Sequence, residues 1–353
     1  MGQKLEKGNN MTLEELIEKA RKDQCSDLHL TAGTSIAVRR YGVLKVLDDI
    51  KATLQETEKM IYSLLDEQDI AKVKSGQDVD VATTDTMDAR IRMNVYHQRN
   101  NIAASIRLLD IEIPTLDQLG FGKVAKDFAE RRSGLILVTG PTGSGKSTTL
   151  AAMLNHMNQN QAKHIITIED PIEYVYPHAK SMIHQRQVGK DVEDFAYALR
   201  SSLREDPDII MVGEMRDFET INAAVTAAET GHLVLSTLHT RSAAQTVERI
   251  INACPIEVQK SMQVQLASVL TGVITQDLLP RFDGDGRVAA TEVMVNNPAV
   301  GNLIRENKIN QIPTVIQSSM QYGMHTMEHS IKQLVRTRKV REEDAMRHLE
   351  SYN

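Results

Sequence analysis

The chain has 353 residues, which is long enough for two domains with separate cores, and 41% of its residues are hydrophobic. Its formal net charge of -6 argues against bulk attraction to nucleic acid or to an anionic membrane. The longest apolar runs have the length of strands, residues 1–10 lack the apolar core of a secretory signal, and two cysteines cannot form a tetrathiolate zinc site. These features favour a protein of the reducing cytosol without a transmembrane segment.

The first third of the chain predicts a small domain that mixes short strands with helices. Residues 12–22 have the apolar spacing of an amphipathic helix with Thr12 as its N-cap, and residues 26–30 alternate like a strand. Further along, the patterns predict a hairpin over 36–47, helices over 54–65 and 67–74, and strands over 78–83, 89–97 and 102–109. This mixture indicates an α+β domain, which we expect to cover residues 1–112.

Two arginines stand out on the last two predicted strands of that domain. The period of two places Ile91, Met93 and Val95 on one face and leaves Arg92 on the other, and Arg107 falls on the corresponding polar face of the next strand. A polar face of this kind is often simply solvated. Alternatively, the two arginines reach a neighbouring subunit's nucleotide and stabilise charge on the transferring phosphoryl group.

A linker and a helix predicted over 123–131 lead to a segment that matches the phosphate-binding pattern G-x-x-x-x-G-K-[ST]. Its residues are Gly140, Pro141, Thr142, Gly143, Ser144, Gly145, Lys146, Ser147 and Thr148. The segment follows an apolar strand-like run and precedes good helix formers, so backbone N–H groups at a helix N-terminus would face an anion. Lys146 would place its charge on the β- and γ-phosphates, and the Ser147 hydroxyl would ligate Mg²⁺. The chain is therefore predicted to bind a nucleoside triphosphate.

The second half of the chain alternates strands and helices, which is typical of a wound parallel sheet. Strands are predicted at 135–139, 164–168, 208–212 and 232–236. Ligands of such sheets bind beyond the carboxyl ends of the strands, where Glu169, Glu214 and His239 are found. We expect Glu214 to be the general base and His239 to sense the γ-phosphate. Because Gly213 occupies the usual position of the Mg²⁺-linked Asp, we expect Glu169, or alternatively Asp170, to ligate the metal. Each could instead be an ordinary strand-end group.

Six segments of the chain, 26–33, 140–148, 168–174, 200–217, 230–240 and 302–306, carry these motifs and their flanks. In combination they resemble the type IV pilus retraction (twitching motility) ATPases of the secretion-ATPase superfamily, over essentially the whole chain from Met11. The resemblance implies a PAS-like N-terminal domain and a RecA-like P-loop ATPase domain over 113–353. Residues from about 281 onward are predicted to be mostly helical, because apolar side chains such as Ile331 and Leu334 recur at helical spacing.

The same resemblance implies how such a protein works. It implies an ATP-hydrolysing homo-hexamer at the cytoplasmic base of a pilus, at the inner face of the cell membrane. Membrane association would be peripheral, through an inner-membrane platform protein, and Arg92 and Arg107 would complete the nucleotide site. Gly213 is normal for this family, but the retraction signature usually carries Arg where Gly301 stands.

Three alternatives to a retraction motor remain open at this point. Assembly ATPases of the superfamily resemble longer chains with a four-cysteine metal insertion, which this sequence lacks. A RecA-like nucleic-acid motor would need base-stacking side chains, whereas this chain has no Trp and only 4% aromatic residues. An accessory protein that holds ATP without turnover is disfavoured by the intact Lys146, Glu169, Glu214 and His239.

Overall fold

The computed structural model describes residues 11–86, 89–109, 112–284 and 286–352, so the expectation for residues 1–10 lies outside the described residues. The chain divides into two compact units. The first contains the residues up to Glu112 together with Glu173–Val175, and the second contains Ile113–Ile172 and the chain from Tyr176 onward.

The first unit, within the described residues, is a six-stranded antiparallel sheet with helices packed on one face. Its helices are α1 Leu13–Lys22, α2 Leu54–Tyr62 and α3 Glu67–Lys74, and its strands are β1 Cys25–Thr31, β2 Ser35–Arg40, β3 Val43–Lys51, β4 Val79–Thr84, β5 Arg90–Gln98 and β6 Asn101–Leu108. The strand order is β3-β2-β1-β6-β5-β4. Thr12 and Thr53 begin the first two helices with capping boxes, which satisfy backbone N–H groups at both helix starts.

A buried ion pair connects α1 to the turn between β4 and β5. Arg21 Nε lies 2.7 Å from Asp85 Oδ2, and the two side chains are 11% and 1% exposed. The guanidinium also donates to the carbonyl oxygens of Leu109 and Arg90, while the Ala89 N–H donates to Asp85 Oδ1. The buried charges are thus paired and hydrogen-bonded, which is the condition for such a pair to be tolerated.

The second unit, again within the described residues, is a seven-stranded sheet flanked by helices, in the order β13-β12-β7-β11-β10-β8-β9. Its strands are β7 Gly134–Thr139, β8 His164–Glu169, β9 Met182–Gln187, β10 Ile209–Val212, β11 Leu233–Leu238, β12 Leu270–Pro280 and β13 Arg287–Val295. Its helices are α4 Lys123–Ala129, α5 Lys146–Asn160, α6 Phe195–Ser202, α7 Phe218–Glu229, α8 Ala243–Asn252, α9 Ile256–Val269, α10 Pro298–Arg305, α11 Ile312–Ser318, α12 Met327–Arg336 and α13 Glu342–Tyr352. Neighbouring strands are parallel except for β12 and β13.

The sequence patterns did not predict three strands of this sheet, β9, β12 and β13. The strand β13 falls in the region expected to be mostly helical, so the C-terminal helices begin only at Pro298. Most of β12 is buried on both faces, because it lies between β7 and β13 and is covered by helices. Its sequence mixes apolar residues with Thr271, Thr275, Gln276 and Asp277, so it lacks the regular alternation that marks a half-buried strand.

We expect Arg21→Ala to lower the free energy of unfolding by about 3–5 kcal/mol, because it would leave the Asp85 carboxylate buried without its charge partner. Chemical denaturation followed by circular dichroism would measure the change. Lys72→Ala is the matched control, since its ion pair with Asp69 is solvent-exposed, and its transition should hardly move. Equal shifts for the two variants would contradict the stabilising role of the buried pair.

Candidate nucleotide-binding site

The phosphate-binding segment forms the loop that joins β7 to α5. Gly145 is the N-cap of α5 and has φ of 87°, while Gly143 has φ of 79° and Gly140 has φ of 144°. A Cβ on Gly140 would overlap the backbone oxygen of Gln276, so glycine is required there by space as well as by conformation. By exposure, Gly140, Ser144 and Lys146 are buried, Pro141, Gly145 and Thr148 are half-buried, and Thr142, Gly143 and Ser147 are exposed.

The Lys146 side chain folds back over this loop. Its Nζ donates to the carbonyl oxygens of Gly140 and Pro141, both at 2.9 Å, and the residue is 9% exposed. The ammonium group therefore lies at the start of the loop while its Cα opens the helix. A positive charge and the N-terminus of α5 act together here, and both favour an anion.

Backbone hydrogen bonds link the carboxyl ends of four neighbouring strands, β7, β11, β10 and β8. These bonds run from Gly140 N–H to Leu238 C=O (3.3 Å), from Met215 N–H to Thr237 C=O (3.1 Å) and from Gly213 N–H to Ile168 C=O (2.8 Å). We call this series the edge ladder. It connects the loop of Lys146 to the strand ends that carry His239, Glu214 and Glu169. The structure thus places the four predicted side chains at the carboxyl ends of neighbouring strands of one sheet.

Glu214 and His239 are in direct contact at this edge. His239 Nε2 lies 3.4 Å from Glu214 Oε2, and Arg216 Nε lies 2.7 Å from the same oxygen. The Glu214 side chain is 16% exposed, whereas those of His239 and Arg216 are 46% and 75% exposed. Arg216 was missed from the sequence, and its only signal there is its position two residues after the expected base.

Glu169 is a buried carboxylate at the end of β8. It is 7% exposed, and its Oε1 accepts hydrogen bonds from Thr167 Oγ1 at 2.6 Å and from Gln185 Nε2 at 3.2 Å. Gln185 lies on β9, a strand that the sequence did not reveal. The carboxylate is therefore held in one orientation by two neighbouring strands.

The residues present suit a magnesium ion that is bound mainly through substrate. Among the described residues, no group of three or more His, Cys, Asp or Glu side chains could hold a metal by itself. Mg²⁺ normally takes one or two protein oxygens together with phosphate oxygens and water. The exposed Ser147 hydroxyl in the first turn of α5 and the Glu169 carboxylate supply that kind of ligand.

Arg92 and Arg107 lie on the sheet of the first unit. They are register partners on β5 and β6, and both are exposed, whereas Ile91 and Met93 on the opposite face are fully buried. Arg107 Nε lies 3.2 Å from Asp27 Oδ1 on β1. The two guanidinium groups therefore share one sheet face, as the alternation of the sequence predicts.

A family model described as "Type II/IV secretion system protein" matches residues 6–347. The chain belongs to this family. It is 43% identical over 325 residues to the "Type IV pilus retractation ATPase PilT" of Pseudomonas aeruginosa, covering 92% of this chain and 94% of that protein. A "Twitching motility protein" of Neisseria gonorrhoeae is 44% identical over 310 residues, covering 88% of this chain and 83% of that protein.

A solved structure described as "Crystal Structure of the Pilus Retraction Motor PilT and Bound ADP" matches with a TM-score of 0.87 and 45% identity. The match covers 96% of this chain and 97% of that one. The predicted family, the fold class and the assignment as an ATPase are thereby confirmed. Within the described residues, the chain has no helix long and apolar enough to cross a membrane.

We expect Gly140→Ala to abolish ADP binding, because the added Cβ would displace either the loop or β12. Isothermal titration calorimetry with ADP would measure the loss. Gly143→Ala is a matched control in the same loop, where the Cβ would meet open space and only left-handed strain of about 1–2 kcal/mol arises. If both variants bind ADP equally well, the contact with Gln276 does not fix the loop.

Proposed function

We propose that this chain is an ATP-hydrolysing motor that powers type IV pilus retraction (twitching motility). It would act as a homo-hexamer at the cytoplasmic base of the pilus, on an inner-membrane platform protein and without contact to nucleic acid. The observation that carries the proposal is the contact of Glu214 with His239 on the edge ladder beside the Lys146 loop. This site lies in a chain that is similar along most of its length to a protein named as a retraction ATPase.

The phosphate loop would bind the triphosphate, and Glu214 would act on the attacking water. The water oxygen would bond to the γ-phosphorus as the bond to the β,γ-bridging oxygen breaks, giving ADP and phosphate. Glu214 would orient this water and take its proton, since a carboxylate at the end of β10 is the general base available on this edge. Lys146 would stabilise charge on the β- and γ-phosphate oxygens.

The contacts of Glu214 support a coupling between this base and its neighbours. Its Oε2 accepts from Arg216 Nε at 2.7 Å, and His239 lies 3.4 Å from the same atom. The imidazole ring of His239, which contacts Glu214, would also hydrogen-bond a γ-phosphate oxygen. His239 would thereby couple the presence of the γ-phosphate to the position of the Glu214 carboxylate. Arg216 would keep the carboxylate in its orientation.

Ser147 and Glu169 would hold Mg²⁺. When bound, this ion would neutralise part of the negative charge of the β- and γ-phosphates. The hydrogen bonds from Thr167 and Gln185 would keep the Glu169 carboxylate aimed in one direction. Additional positive charge near the transferring group favours phosphoryl transfer, and we propose that Arg92 and Arg107 of a neighbouring subunit supply it.

Glu214→Gln should keep nucleotide binding and lose steady-state hydrolysis by about 100-fold or more, because the amide cannot accept the proton of water. Phosphate release by the purified protein would measure turnover, and the same variant should fail to restore twitching in a strain that lacks the gene but still displays pili. Glu219→Gln, which changes an exposed carboxylate on α7, is the control and should hydrolyse normally. Normal turnover by Glu214→Gln would remove Glu214 from the role of base.

Arg92→Ala and Arg107→Ala should each lower turnover by about 10-fold or more while leaving the melting temperature nearly unchanged, since both side chains are exposed. Arg99→Ala, in the turn between β5 and β6, removes an exposed arginine from the same hairpin and should leave turnover at the wild-type level. Wild-type rates in both test variants would show that the arginines belong to a solvated face.

A further inference from the structure

Gln276 is a buried glutamine of β12 that the roles above leave without a function. It is 1% exposed, yet both ends of its side-chain amide are hydrogen-bonded. Its Nε2 donates to the Ser144 carbonyl oxygen at 2.6 Å, and its Oε1 accepts from Thr149 Oγ1 at 2.8 Å. Turning the amide over would set its oxygen against the Ser144 oxygen, so the contacts define a single orientation.

The bond to Ser144 fixes one peptide group inside the phosphate loop. In a planar trans peptide, the carbonyl oxygen and the following N–H point in opposite directions. Because the Ser144 carbonyl is turned toward β12, the Gly145 N–H is turned away from β12. Backbone N–H groups of such a loop are the donors that bind phosphate oxygens.

Two glycines of the phosphate loop leave the space that Gln276 occupies. A Cβ on Gly145 would lie 3.1 Å from Gln276 Nε2, and a Cβ on Gly140 would overlap the Gln276 backbone oxygen. Next to Gln276, Thr275 Oγ1 lies 2.9 Å from Thr139 Oγ1, which joins β12 to the end of β7. The loop thus rests on β12 through side-chain, backbone and van der Waals contacts at one position.

We propose that Gln276 is a positioning residue for ATP binding, which holds the Ser144–Gly145 peptide so that the Gly145 N–H faces the phosphates. The inference rests on the proposed nucleotide function, and it makes the hydrogen-bond donor of Gln276 the decisive feature. A residue that only filled space on β12 would be replaceable by any side chain of the same shape. A residue that positions the peptide must donate to the Ser144 oxygen.

Three variants of the full chain separate these roles. Gln276→Glu keeps the shape of the side chain but, when ionised, has no donor for the Ser144 oxygen. Gln276→Met removes both hydrogen bonds at similar length. Gln263→Met is the matched control, because Gln263 is a buried glutamine, 6% exposed, on the helix α9.

The experiment measures the dissociation constant for ADP by calorimetry and the melting temperature with and without ADP. Gln276→Met should weaken ADP binding by about 10-fold, and Gln276→Glu by more when ionised, because its carboxylate would lie against the Ser144 oxygen with no donor between them. Gln263→Met should lower the melting temperature without changing the affinity. Thr149→Val, which is isosteric and leaves Gln276 in place, should weaken binding by about threefold.

Wild-type affinity in Gln276→Met would overturn the proposal, since a side chain of similar length without a hydrogen-bond donor would then suffice. Equal losses of affinity in Gln276→Met and Gln263→Met would overturn it as well, because the effect would be one of general stability. If the Gln276 variants do not fold, unchanged affinity in Thr149→Val is the overturning result. Failure of the wild-type protein to bind ADP would instead refute the proposed function itself.

Discussion

The parallel pairing of β7 with β11 on one side and β12 on the other is the constraint on which the site depends. All six residues of β7 are buried, and its carboxyl end opens into the phosphate loop. The pairing with β11 runs from Gly134 opposite Leu233 to Thr139 opposite Leu238, so the loop begins level with His239. A shift of one residue in this register would reverse the faces of β7 and separate Lys146 from the acidic side chains of the neighbouring strands.

The sequence predicted well those parts of the chain where one local signal decides the structure. In the first unit, alternating strands such as β5 have one buried and one solvated face, and the pattern can be followed residue by residue. In the second unit, the glycine-rich segment specified a strand, a loop and a helix at once. The position of Glu214 and His239 then followed from the general rule that parallel strands end at the same edge.

The parts that could not be predicted depend on contacts between distant residues. Gln276 meets Ser144 across 132 residues of sequence, and Gln185 meets Glu169 from a strand whose exposed edge gives no clear alternation. Arg216 and Glu214 are close in sequence, but their residue types do not predict that the Arg216 side chain contacts the Glu214 carboxylate. Contacts between distant residues can be predicted only after the strand order of the sheet is known.

Gly301, at the position where the resemblance to the retraction ATPases implies Arg, lies away from that edge. Gly301 is a buried residue of α10, and a Cβ on it would lie 3.4 Å from Asn296 Oδ1. Asn296 donates to the carbonyl oxygens of Ala267 and Leu270, and Leu270 pairs with Leu135 at the amino end of β7. The length of β7, roughly 17 Å, therefore separates this position from the phosphate loop. A change at residue 301 thus acts on the packing of α9 and α10, at the end of the sheet opposite the loop of Lys146.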